Sequence, residues 1–308
     1  MPKLPLNTVL NLSQTEKEKK LNDVLDLMKK TEAGKDVLAS IEGTEFQISV
    51  ETGIGGVFGF CDTDKKKIVL NAVAEKETLA AVLSHEIRHA VQFGKDPMMF
   101  KDGYTRVSDM YKQLRGMEAD ACAHQAAFVY EAKKNGMAIE MPSGYESIFE
   151  TYSTEIEKTK NKKQAMSAAF KAWYKDTPIM DWYDNNFKPC IRDAVAQLVG
   201  DNVKTGFSEK VTDEHLANVF DFKGKPYVEP EFFSSPTAHC LKQNDKETVM
   251  AMMKRYSQRT DAPLDSSVLE MADRHENGKV VQNDRNIQEQ QSNKPAVAAL
   301  IALKAKQR

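Results

Sequence analysis

Two histidines four residues apart, His85 and His89, lie in a stretch from Ala74 to Gln92 that contains neither glycine nor proline. Leu79, Leu83, Ile87 and Ala90 recur there at helical spacing, which predicts an amphipathic helix. Positions four apart share one helical face, so both imidazoles can reach the same ion. One helix cannot complete such a site, because a catalytic zinc takes a third protein ligand and keeps a position open for water. The spacing therefore constrains the fold: another element must bring a donor against this helix. Glu86 stands beside the first histidine, placed to take a proton from a metal-activated water rather than to bind the metal.

A long helical pattern from Val107 to Lys134, stopped by Asn135-Gly136, offers that donor. Met110, Leu114, Met117, Ala121 and Phe128 form its apolar stripe, and Glu118 lies along one edge with Gln125 close by. A carboxylate at such an edge is costly to bury unless it is paired, protonated or bound to metal. Glu118 is thus the candidate third ligand, against the plainer reading of a salt bridge to Arg88 or Arg106. Asp120 sits about 200° around the helix from Glu118. It is the alternative third ligand, or a support behind a ligand histidine, and it also pairs with His124 one turn on. Cys122, among Ala119, Ala121, Ala123, Ala126 and Ala127, reads as packing on a slim helix that a neighbour can approach closely. Arg88 points about 80° away from the two histidines and is read as an anchor to a carboxylate.

The remaining pattern predicts an α+β chain. Ser13-x-x-Glu16 is a capping box opening a helix near 14–30, with a shorter helix at 33–41. Phe46–Glu51 alternates with period two, as a half-buried strand does. A hairpin follows, Val57–Cys61 and Lys67–Asn71, turning at Asp62-Thr63-Asp64-Lys65. Residues 1–140 then form a small antiparallel sheet with active-site helices. Residues 141–275 read as mostly helical, with helices at 145–158, 162–175, 187–199, 245–256 and 264–275. Residues 276–308 read as a polar linker or tail with a short helix near 295–306. Phe170, Trp173, Tyr174, Trp182 and Tyr183 are expected in the core of the helical region, and His215, His239 and His275 stand isolated.

Composition excludes more than it selects. A formal net charge of −2 gives no reason to expect nucleic acid or a membrane surface as partner. No apolar run reaches the roughly 18 residues of a spanning helix. The four cysteines are scattered, which suits free thiols in a cytoplasmic protein better than a disulfide framework.

His85-Glu86-x-x-His89 followed by Glu118 on a later helix resembles the gluzincin class of zinc metallopeptidases. More narrowly, HEIRHAVQ with the downstream RGMEADACAHQAAF resembles an uncharacterised bacterial family of metallopeptidase domains, as does Phe170-Lys171-Ala172-Trp173-Tyr174. The close resemblance covers residues 35–185. It implies a minimal zincin-like core, Zn²⁺ held by His85, His89 and Glu118, and Glu86 as general base in the hydrolysis of peptide or protein substrates. Such proteins often carry an aspartate one turn after the ligand glutamate, supporting a histidine. Here that position is Cys122 and the aspartate is Asp120, which leaves the support unassigned. The class also implies an edge strand that aligns substrate, Phe46–Glu51 or Val57–Cys61. A donor to the developing oxyanion is expected among Tyr104, Tyr111, His124 and Arg88, with Tyr145 and Tyr152 further off. The competing reading is a catalytically inactive zincin-like module that binds a protein partner.

Overall fold

The computed structural model describes residues 12–274, so the expected tail, its short helix and His275 lie outside the described residues. The chain is α+β: small sheets and many helices. Helix α1 (Gln14–Met28) begins at the capping box, in which Glu16 N–H donates to Ser13 Oγ and Ser13 N–H donates back to the Glu16 carboxylate at 2.7 Å. Helix α2 (Glu32–Ala39) is capped by Thr31. Three strands follow: β1 (Gln47–Glu51), β2 (Gly59–Asp62) and β3 (Lys67–Asn71).

The sheet has the order β1-β3-β2. β2 and β3 form the expected antiparallel hairpin, but β1 pairs with β3 in parallel, so the sheet is mixed rather than antiparallel. Period-two alternation fixes which face of a strand is buried and says nothing about the direction of its neighbour. After β1 the chain passes through the Gly53–Gly56 stretch to the far edge before the hairpin returns it to the centre. β2 begins at Gly59, two residues later than the pattern suggested. A side chain at Gly59 would meet Val82 Cγ1 at 2.7 Å, so the glycine lets the strand lie directly on the next helix.

That helix is α3 (Lys76–Lys95), which carries the two histidines. Its Leu79, Leu83 and Ile87 enter a core with Val24, Met28, Val50, Ile68, Leu70, Phe128, Val129 and Ile139. Each such side chain contributes about 1.5–3 kcal/mol on burial, which fixes the rotation of α3 about its axis. Helix α4 (Val107–Lys134) has the bounds its pattern predicted and stops at Asn135 and Gly136, the glycine at φ 74°.

Then come α5 (Glu146–Thr159), α6 (Lys162–Lys175), α7 (Thr177–Gly200) and α8 (Asp213–Val219). A short antiparallel pair follows, β4 (Asp221–Phe222) and β5 (Lys225–Pro226). β6 (Cys240–Leu241), α9 (Gln243–Thr260) and β7 (Ala272–Asp273) complete the described chain, β7 running parallel to β6. Two expectations are corrected here. The helix expected at 187–199 starts at Thr177, where Asp176 caps it and Pro178 occupies its first turn. The helix expected at 264–275 is instead one 3-10 turn, Ser267–Glu270, followed by β7. Pairing with β6 outweighs a weak helical pattern there.

The chain divides into two compact units that interleave in sequence. One holds the described residues up to Lys95 together with Ala119–Ala172, and includes the three-stranded sheet and α3. The other holds Asp96–Glu118 and the residues from Trp173 on. In the second, Trp173, Tyr174, Tyr183 and Phe187 pack edge to face and tilted, with Trp173–Tyr183 centroids 5.3 Å apart. Phe170 is buried as well, but belongs to the first unit.

Candidate metal centre

Six polar residues of α3, Ser84, His85, Glu86, Arg88, His89 and Gln92, are buried. Burying so many polar groups on one helix is unfavourable unless they are paired or coordinate a metal. Ser84 Oγ returns a hydrogen bond to Ala81 O at 2.7 Å. The two histidines turn toward each other, ring centroids 4.8 Å apart and planes at 81°, with Nε2 to Nε2 only 3.1 Å. Two imidazole nitrogens can face each other at that distance only if a proton or a cation lies between their lone pairs.

Among the described residues, His85, His89 and Glu118 form the group of histidines and carboxylates that could hold a metal, their ligand atoms all within 4.8 Å of one another. Glu118 is 4 % exposed and comes from α4. The donor set fits an ion. Two imidazoles bonded at about 2.0–2.1 Å to a tetrahedral centre lie about 3.3–3.4 Å apart, close to the observed separation of Nε2 atoms. Two neutral nitrogens and one carboxylate also form the combination that leaves a catalytic zinc one open position. Glu86, adjacent in sequence to His85, is 7 % exposed.

Asp120 is not in that group. It is 0 % exposed and is held by Arg88, whose Nε donates to Oδ2 at 2.5 Å and whose second guanidinium nitrogen reaches Oδ1 at 3.3 Å. His124 Nε2 lies 3.5 Å from its other side. Arg88 thus anchors α3 to α4 as its direction on the helix suggested. Arg106 is found on Asp109 at 2.6 Å. Gln125, close to Glu118 on the edge of the apolar stripe, donates its amide to the Ala81 carbonyl of α3 at 2.9 Å. The alanines around Glu118 and Asp120 are buried, and Cys122 among them brings Sγ to 4.0 Å from His85 Nδ1. The position one turn after Glu118 therefore does face a histidine, through a thiol rather than a carboxylate.

One residue was missed. Gln92 is fully buried, its Oε1 is 2.9 Å from His89 Nδ1, and its Nε2 donates to Asp120 Oδ2 at 2.7 Å. The signal was present, since Gln92 follows His89 by three residues and so shares its face.

The expected oxyanion donors scatter. Tyr111 is buried against Phe187 with Arg115 over its ring, and burial pushes its hydroxyl far above the usual range. Tyr152 is buried on Tyr130, Tyr145 precedes α5, and Tyr104 is 45 % exposed. Cys61, Cys122, Cys190 and Cys240 are free thiols. Among the described residues no helix is long and apolar enough to cross a membrane.

A family model described as "Putative metallopeptidase family (DUF6782)" matches residues 6–189, a span that contains the sheet, α3 and α4. No curated protein and no solved structure matches the chain.

Proposed function

The chain belongs to that metallopeptidase family, and from this premise we propose that it hydrolyses peptide bonds with a zinc ion held by His85, His89 and Glu118. The observation that carries the reading is the gathering of those three side chains, with their ligand atoms within 4.8 Å of one another, and Glu86 next in sequence to the first of them. Bound there, zinc supplies a Lewis acid that acidifies water and polarises a carbonyl.

The chain's own residues do the rest. The two imidazoles offer their Nε2 atoms from one face of α3, and the core contacts of Leu83 and Ile87 prevent that face from turning away. Glu86 takes the proton from the attacking water and passes it to the leaving amine, the work of a general base that becomes a general acid. The Arg88–Asp120 pair ties α3 to α4 at the level of the site, which limits how far the ligands can drift. A purely structural metal site has no use for a carboxylate at position 86, which favours the catalytic reading over a binding module.

The test is an unbiased peptide-library digestion with the zinc-loaded chain and its Glu86→Gln variant. The expected outcome is cleavage by the wild type and a loss of about 10²–10⁴-fold in the variant, with zinc content and thermal midpoint unchanged. Equal cleavage by both would remove Glu86 from its role. A zinc-loaded wild type that cleaves nothing would favour the binding module.

A further inference from the structure

The hydrogen bonds behind His89 form a chain whose polarity is fixed from its far end. Arg88 cannot act as an acceptor, and it holds Asp120 as a two-point ion pair inside the protein. An ionised carboxylate only accepts hydrogen bonds, so the Gln92 atom 2.7 Å from Asp120 Oδ2 must be the amide nitrogen. Which end of a glutamine amide carries the nitrogen is ordinarily ambiguous, and here the partner decides it. The amide oxygen then faces His89 Nδ1 at 2.9 Å. A carbonyl oxygen cannot donate, so Nδ1 must carry the ring proton. The lone pair is left on Nε2, the atom turned toward His85 Nε2 at 3.1 Å.

We infer that Gln92 is a positioning residue: its amide, oriented by Asp120, locks His89 in the Nδ1–H tautomer and presents a bare Nε2 to the metal. The inference rests on the zinc-site reading for its purpose, though the tautomer itself does not. It assigns Asp120 a place as well. Asp120 acts on the site through the Gln92 amide that it orients. The two histidines then differ. The Gln92 contact presets His89 for one tautomer, whereas the Cys122 thiol facing His85 Nδ1 at 4.0 Å can donate or accept and by itself selects none. The lock removes one alternative that would otherwise have to be lost on binding, which is how outer partners strengthen a metal site.

The experiment uses the full chain labelled with ¹⁵N-histidine and stripped of metal, at a pH where the ring is neutral. A long-range ¹H–¹⁵N spectrum separates protonated from bare ring nitrogens, and the chain has only 6 histidines to assign. The expected result is His89 with Nδ1 protonated and Nε2 bare, relaxing to a tautomer mixture in Gln92→Ala. A wild-type His89 protonated at Nε2 would overturn the inference and leave the zinc reading intact. Zinc affinity, measured by competition with a chromophoric chelator, should fall about 10–100-fold in Gln92→Ala. A folded Gln92→Ala chain that binds zinc as tightly as the wild type overturns the positioning role. If the wild type takes up no zinc yet shows the Nδ1–H tautomer, the lock is upheld and the zinc reading fails.

Discussion

Helix α4 carries two buried charges close together, Arg115 and Asp120, and each is matched by a partner of opposite sign from elsewhere in its own unit. Arg115 is fully buried. It grips Asp184 of α7 at 2.9 and 2.7 Å and sends Nη1 to the carbonyls of Ala238 and Cys240. Arg274, just after β7, closes on the same Asp184 at 2.7 Å. That arrangement consumes its donors on backbone and carboxylates, and it binds α4, α7 and the β6–β7 pair into one body. Asp120 also meets an arginine at two points, but its hydrogen bonding continues through Gln92 to a histidine. The chemistry of the two pairs is nearly the same. What differs is where the chain of hydrogen bonds ends: in one case on the backbone, in the other on a ring nitrogen whose opposite face belongs to the candidate metal centre.

The comparison predicts unlike failures. Asp184→Ala takes from the buried Arg115 guanidinium the carboxylate it grips, while Arg274 keeps Asp181 at 2.7 Å, and should cost about 3–5 kcal/mol, read as a lowered urea midpoint. A loss under about 1 kcal/mol, the range of exposed pairs, would show that this network is not the clamp described. A smaller effect comes from His239, which lies beside the clamp and whose backbone oxygen accepts from Ala272. Burial, and then the positive charges of Lys112 and Arg115, hold its pKa down to about 4, with Asp109 and Asp213 pulling the other way. The folded state thus prefers the neutral ring. Its contribution is fully present above about pH 6.5 and is lost as the pH falls toward about 4. The ring is only part-buried, so screening trims the effect to about 1 kcal/mol between pH 6.5 and 5. Urea titrations should find the pH slope flattened in His239→Gln. An unchanged slope would assign the acid sensitivity to other groups.

Much of the first unit was legible because its signals are local. The Ser13–Glu16 box fixed the start of α1, the Asn135-Gly136 stop fixed the end of α4, and the spacing of Leu79, Leu83 and Ile87 fixed the buried face of α3. The direction of β1 was not, because alternation carries no information about a neighbour 20 residues away, the separation of Gln47 and Lys67 in the parallel register. β7 is two residues long and exists only through its pairing with β6, so no periodicity could announce it. At the site, the histidines and Glu118 followed from spacing and from the cost of burying a carboxylate. Gln92 did not, although it lies on the right face, because its meaning depends on Asp120 reaching it from another helix. Pairwise spacing within a helix can be read from sequence, and a chain of hydrogen bonds that crosses between helices cannot.

Glu118, and not Asp120, is the proposed third ligand beside His85 and His89. Zinc bound per chain, measured by elemental analysis after equilibration against a fixed free-zinc buffer, tests it directly in the wild type, Glu118→Ala and Asp120→Asn. The expected result is one zinc per wild-type chain, near-complete loss in folded Glu118→Ala, and in Asp120→Asn only the weakening of about 10–100-fold that removal of an outer support produces. Full zinc in Glu118→Ala together with loss in Asp120→Asn would contradict it.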